Sequence, residues 1–188
     1  MKKSVMVIVL VVVVSLVVSG VWADRPPVTV VGSPNRVSLA PGETATVDIT
    51  AVDVQELYAY EMYIDYNPAV VRVVDADGIA ANGVQVQLGD FVRPDLVITN
   101  RVDETGGRIS VAVSQWNPTL PRSGTGTLFS VTFMALATGD AQIRTDVADS
   151  ILTDRDAERF DVTFQDAILD VLLGGSDLYT IVMPCVLG

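Results

Sequence analysis

Histidine is absent from the 188 residues, and the only lysines are Lys2 and Lys3. Without imidazole, and without an amine side chain beyond residue 3, the chain has no route to imidazole base catalysis, to most hydrolase triads or to Schiff-base chemistry. Cysteine occurs once, at Cys185, so no internal disulfide can form, and this thiol near the end of the chain is read as free and without a role. Tryptophan occurs only at positions 22 and 116. No stretch carries the period of a long amphipathic helix, which excludes helical and alternating α/β architectures.

What is present begins with two lysines followed by an apolar run from Val5 to Val18, after which Val21-Trp22-Ala23 sets small residues where a signal peptidase reads. That order predicts a secretory signal over residues 1–23 and an exported protein starting at Asp24. The alternative is an uncleaved anchor, because the run from Val5 to Ala23 approaches a bilayer span, and only then is a membrane a partner. Removing the leader takes the formal charge from −11 to −13, since both lysines go and all 23 acids stay. Such acidity suits solubility outside the cell or at its surface. It also repels phosphate backbones, which excludes nucleic acid as a partner.

Residues 24–172 are enough for one domain that buries roughly two-thirds of its unfolded surface without disulfides. Residues 173–188 form a glycine hinge and a short apolar tail, Leu178 to Leu187 broken by Pro184, too short for a helical bilayer span. The tail is read as a retention or sorting element, as a strand that docks on this or a neighbouring chain, or as a truncation stub.

Within the domain, short alternating segments recur with turn residues between them. Strands are predicted near residues 28–31, 36–39, 44–52, 57–66, 70–74, 84–88, 95–101, 107–115, 126–136, 141–147 and 159–171, the last broken at 165–167. "APGE", "DADG", "ETGG" and "ATGD" supply turns, and one helical turn is predicted near Ile79 to Asn82. Many short strands without helices between them make an antiparallel sandwich or barrel. The most informative segment is "LYAYEMYIDYNP", Leu57 to Pro68. Its period of two sets Tyr58, Tyr60, Met62, Ile64 and Tyr66 on one face and Ala59, Glu61, Tyr63 and Asp65 on the other, a half-buried strand.

Three stretches, "VSLAPGETATVDITAVDVQELYAYEMYIDYNPAVVRVVDAD", "SGTGTLFSVTFMALATGDAQI" and "ILTDRDAERFDVTFQDAILDV", resemble cohesin domains in order and spacing. The first is similar to that family's opening: a Pro-Gly turn, a strand of small and β-branched residues, a strand ending in an aromatic, a polar residue and proline, then a short valine-rich strand. The resemblance spans nearly all of residues 28–171. It implies an all-β, nine-stranded jelly-roll sandwich, with residues 28–39 as one broken strand, and a non-catalytic module whose partner is a dockerin-like protein. It also implies that Met62, Ile64 and Tyr66 point inward, with tyrosine hydroxyls reaching polar partners at the rim, and that Ala59 and Glu61 stand where the family carries two outward polar residues of its docking sheet. Glu61 keeps an acceptor; Ala59 has lost the amide, which points to a changed partner. Tyr63 beside them is an amphipathic anchor. On the neighbouring strand "GRISVAVSQ", Arg108 and Ser110 face outward if Ile109, Val111 and Val113 face in. A flat, small, weakly charged face flanked by arginine suits a protein ligand better than a sugar pocket, the competing reading being a plain solvated face.

Other constellations carry competing chemistry. Asp154, Asp156 and Glu158 in "TDRDAERFD" put alternating carboxylates along one strand face and are calcium candidates, although the spacing lacks an EF-hand's glycine and terminal glutamate; no other cofactor is indicated. Paired acids raise glycoside hydrolysis, but the acids are scattered over turns and no cleft is indicated, so the chain is read as not an enzyme. Trp116, in "SQWNPTLPRSG", could stack on a sugar ring, giving a carbohydrate-binding alternative; a buried lid over the open end of the sandwich is preferred, since large aromatics are mostly buried. A structural surface or adhesion subunit is the third class. The leading expectation is a secreted module docking a protein through the sheet of Glu61 and Tyr63, in an assembly linked to polysaccharide degradation.

Overall fold

Alternation of apolar and polar residues puts one face of each strand in a core and leaves the other wet, so two such sheets must close on each other. The computed structural model describes residues 27–172 and shows this arrangement. The predicted leader, the C-terminal tail and Cys185 lie outside the described residues.

The strands are β1 (Val28–Ser33), β2 (Arg36–Leu39), β3 (Thr44–Leu57), β4 (Ala59–Asp65), β5 (Val71–Val73), β6 (Gln87–Leu88), β7 (Leu96–Asp103), β8 (Arg108–Ser114), β9 (Arg122–Ala135), β10 (Gly139–Thr145), β11 (Ile151–Thr153), β12 (Val162–Gln165) and β13 (Ala167–Val171). One sheet has the order β12-β1-β3-β9-β5, with β6 also on β9; the other runs β2-β13-β10-β4-β8-β7, with β11 on β4. A single 3-10 turn, Ala80–Asn82, lies where a helical turn is predicted.

The all-β two-sheet sandwich agrees with the expectation. Thirteen described strands against nine is a matter of broken runs. β1 and β2 are one run interrupted at Pro34, β12 and β13 another interrupted at Asp166, and β6 and β11 are fragments of two and three residues. Each broken run changes sheet at its break: β1 pairs in parallel with β12 in one sheet, and β2 in parallel with β13 in the other. The crossing is tight. A Cβ on Gly32 would stand 3.0 Å from Cβ of Ala167, so glycine lets the two runs pass.

Two long strands differ from the pattern-based bounds. β3 continues to Leu57 and β9 starts at Arg122, paired through successive register shifts after Ile49. Positive φ at Asp53 (51°) and Glu56 (60°) breaks the alternation there. Thr125 Oγ1 accepts the Asp53 N–H and Ser123 Oγ the Glu56 N–H in place of ladder carbonyls. β11 is missing from the prediction because three residues are too few to show a period.

Between the sheets lie Met62, Ile64, Ile109, Leu128, Phe129, Val131 and Phe133, all fully buried. Tyr60 stacks on Phe129 with ring centroids 6.1 Å apart, and Tyr66 meets Phe133 edge-on at 5.6 Å. Tyr60 donates its hydroxyl to the Leu128 carbonyl at 2.9 Å. Tyr66 departs from the rim-partner expectation: its buried hydroxyl has no partner among the described residues. Burial, followed by the charges of Glu104 and Asp103, pushes its pKa up to about 12. Tyr58 is only half-buried, under the guanidinium of Arg155 at 5.3 Å.

Candidate functional site

Because β4 alternates strictly, burying Tyr60, Met62 and Ile64 leaves Ala59, Glu61, Tyr63 and Asp65 on the outer side of the seven-stranded sheet. Antiparallel pairing sets Ala59 beside Ser114, Glu61 beside Ala112, Tyr63 beside Ser110 and Asp65 beside Arg108. The five predicted interface residues, Ala59, Glu61, Tyr63, Arg108 and Ser110, therefore share one continuous face.

This face is fixed by polar contacts at its upper end. Tyr63 donates its hydroxyl to Glu61 Oε1 at 2.5 Å. That bond, ahead of burial and the Glu61 charge, raises the Tyr63 pKa, so the phenol stays protonated. The Arg108 guanidinium lies 4.7 Å from the centre of the Tyr63 ring. It also pairs with Asp65 at 3.1 Å, Asp146 at 2.9 Å and Asp149 at 3.1 Å. The flanking arginine is thus spent on intrachain acids, and its role is to hold Tyr63 against the sheet. The Arg108 hydrogen bond in turn keeps Asp146 ionised below the usual carboxylate range.

The acids reach Arg108 because β4 changes partner. Its C-terminal end pairs with β10 and its N-terminal end with β11, and residues 146–150 loop out between them. At the gap the ladder is completed locally: Asp146 N donates to the Tyr63 carbonyl at 2.9 Å, and Ser150 Oγ accepts the Tyr63 N–H at 3.0 Å.

The lower end of the face is apolar. Ala59, Ile98, Ala112 and Ile151 surround a depression of about 200 Å³, edged by Glu61 and Thr153. Ile98 is 68 % exposed. It sits at a register shift between Val97 and Thr99, where β7 slips against β8. Pattern reading missed Ile98 and Ile151: an alternating strand gives no sign of a bulge, and β11 was not predicted. The small side chain at Ala59 was the available signal, since it leaves room for the hollow.

Trp116 overturns the preferred lid reading. It is 66 % exposed, because β8 ends before it and the loop carries it outward. It lines a wide cleft of about 680 Å³ with Arg93, Asp95, Thr119, Leu120 and Arg122.

The predicted calcium candidates do not form a strand face. Asp154 to Ala157 form a tight turn with Ala157 at φ 63°. Asp154 is buried, and its Oδ1 accepts the N–H groups of Asp156 and Glu158 at 3.0 and 2.9 Å; Asp156 and Glu158 are exposed. Among the described residues, no three acids, cysteines or histidines are grouped to hold a metal ion.

A family model described as "Cohesin domain" matches residues 29–166. Solved structures share the fold. A type II cohesin domain from the cellulosome of Acetivibrio cellulolyticus aligns at TM-score 0.65 and 16 % identity, over 77 % of this chain and 95 % of that one. A non-cellulosomal cohesin from the hyperthermophilic archaeon Archaeoglobus fulgidus aligns at 0.62 and 16 %, over 84 % and 100 %. A chain in a type I cohesin–dockerin complex from Clostridium thermocellum aligns at 0.62 and 15 %, over 78 % and 100 %. At such identities the likeness is one of fold alone. No curated protein matches the chain.

Proposed function

The chain belongs to the cohesin family, and on that premise we propose that it is a secreted receptor module whose outer β4–β8 face docks a dockerin-like protein in an extracellular or cell-surface assembly linked to polysaccharide degradation. Cohesin domains are non-catalytic binding modules. The absence of histidine and, past residue 3, of lysine is consistent with binding in place of chemistry.

The observation that carries the reading is the composition of the face, an apolar hollow bordered by a fixed polar pair. Ile98 and Ile151 offer apolar surface that gains by leaving water, at about 25 cal/mol per Å² covered. Glu61 shares one carboxylate oxygen with Tyr63 and keeps the other to accept a partner's donor. Tyr63, held under Arg108, is presented with little rotamer freedom left to lose on binding. Ala59 brings no amide, so recognition at the lower end rests on shape and an apolar side chain of the partner.

The test is titration of the full chain against one type I and one type II dockerin, alongside capture of partners from the native culture medium on the immobilised protein. Ile98→Asp places a charge in the hollow and should weaken docking more than about a hundredfold, since an unpaired interfacial charge costs several kcal/mol. Unchanged affinity in Ile98→Asp, or the absence of any bound dockerin or captured protein, removes the docking reading and leaves a structural surface subunit.

A further inference from the structure

The cleft at Trp116 is not needed by the docking reading and has a chemistry of its own. The chain has 23 acids against 12 basic residues, yet two arginines and one acid line this cleft. The acid, Asp95, is consumed internally. Its Oδ2 accepts the Trp116 N–H at 3.0 Å and the Thr119 hydroxyl at 2.6 Å, and its Oδ1 meets Arg93 Nε at 2.7 Å. Arg122 has no ion pair or side-chain hydrogen bond among the described residues. The cleft is therefore a local cationic site on an acidic protein.

The loop that holds the indole out is braced from beneath. Gln115, buried, donates from Nε2 to the Leu120 carbonyl at 2.8 Å. Thr119 N–H donates to the Trp116 carbonyl at 2.8 Å, and Arg155 donates to the Thr119 carbonyl at 2.8 Å. With the Asp95 bonds, these tie the loop down at Trp116, Thr119 and Leu120 while the tryptophan ring and the Leu120 side chain (Leu120 is 70 % exposed) stay in water. Exposing an indole costs hydrophobic free energy, and bracing it there removes the freedom that would let it fold back. A large flat ring carried on a braced loop in an open cleft, beside the unpaired guanidinium of Arg122, is suited to a ligand with a flat apolar face and an anionic edge.

We propose that this cleft binds an acidic saccharide, a uronate-containing chain, with one pyranose ring stacked on Trp116 and its carboxylate on Arg122 and the free Nη groups of Arg93. The C–H face of a pyranose lies flat on an indole, and the uronate carboxylate projects from the ring edge, where a planar guanidinium pairs with it. The site is distinct from the β4–β8 face, so it allows one module to hold a protein partner and a polymer together.

The test is affinity electrophoresis of the full chain in gels containing polygalacturonate or, in parallel, a neutral β-glucan, with titration of a short oligogalacturonate to give Kd. Retardation should occur with polygalacturonate and not with glucan, and should fall as salt is added. Trp116→Ala and Arg122→Gln should each weaken binding by about tenfold or more with unchanged thermal melts, as both side chains stand outside the core. Tyr63→Ala and Ile98→Asp should leave saccharide binding intact, which separates this site from docking. Equal retardation by the neutral glucan, no retardation by either polymer, or loss of dockerin binding in Trp116→Ala with saccharide binding unchanged would each overturn the proposal.

Discussion

Replacing Tyr63 tests how a strand's two faces divide stability from binding. The Tyr63 side chain touches two things in the structure, Glu61 through its hydroxyl and Arg108 through its ring, and neither lies in the core. Truncation to alanine forfeits a surface cation–π contact of about 0.5–1 kcal/mol and a hydrogen bond of about the same size, much of it recovered from water. Arg108 keeps its three acids. The fold should therefore lose less than about 1.5 kcal/mol. At the interface the same change removes an oriented aromatic anchor and should cost about 1–3 kcal/mol, or about 5- to 150-fold in Kd. Tyr63→Phe keeps the ring under Arg108 and should bind within about tenfold of wild type, isolating the hydroxyl. Tyr66→Ala is the control. It empties a buried site against Phe133 and should cost about 3–5 kcal/mol of stability while leaving the outer face intact. Chemical denaturation and calorimetric titration with a bound dockerin provide both readouts. If Tyr63→Ala destabilises as much as Tyr66→Ala while affinity holds, the faces are assigned the wrong way round and the reasoning is refuted.

Further results are expected at Tyr60, Tyr66 and Arg36. Tyr60→Phe should cost about 1 kcal/mol, because a real hydrogen bond to Leu128 is lost while Gly89 N–H still serves that carbonyl; Tyr66→Phe should be neutral or stabilising by up to about 1 kcal/mol, because it deletes a buried hydroxyl with no partner. The same burial favours neutral Tyr66 in the folded state: its stabilising effect is complete below the ordinary pKa of 10.0 and is lost as pH rises through about 12, so Tyr66→Phe should flatten the fall in melting temperature over that window. Arg36 clasps the buried carboxylate of Asp170 through Nε at 2.5 Å and Nη2 at 2.9 Å; Arg36→Ala strands that charge where β2 meets β13 and should lower stability by about 1–3 kcal/mol in urea melts, with no effect on dockerin affinity.

Much of the fold was legible because its information is local. Period-two alternation is enough to assign inward Met62, Ile64 and Ile109 and outward Glu61, Tyr63 and Ser110, since a strand has only two faces. The turns were equally plain. Gly107 in "ETGG" has φ 69°, and a Cβ there would meet the Tyr66 carbonyl at 2.3 Å, so the residue type announces the turn. Beside these, the order of three stretches identified the family.

Pairing between distant segments decided the rest. The breaks near Pro34 and Asp166 were expected, but that each run changes sheet there depends on β1 meeting β12 and β2 meeting β13, contacts between opposite ends of the domain that leave no periodic trace. The hollow exists only because a bulge turns Ile98 toward a three-residue strand recruited from beyond the 146–150 loop. The pairing of Arg108 with three acids, two of them on that loop, follows from the same change of partner along β4. Trp116 shows the limit most directly: a large apolar residue after a strand is expected to turn inward, and whether it does is set by Asp95 and Gln115, whose hydrogen bonds hold the loop, and with it the ring, out in solvent.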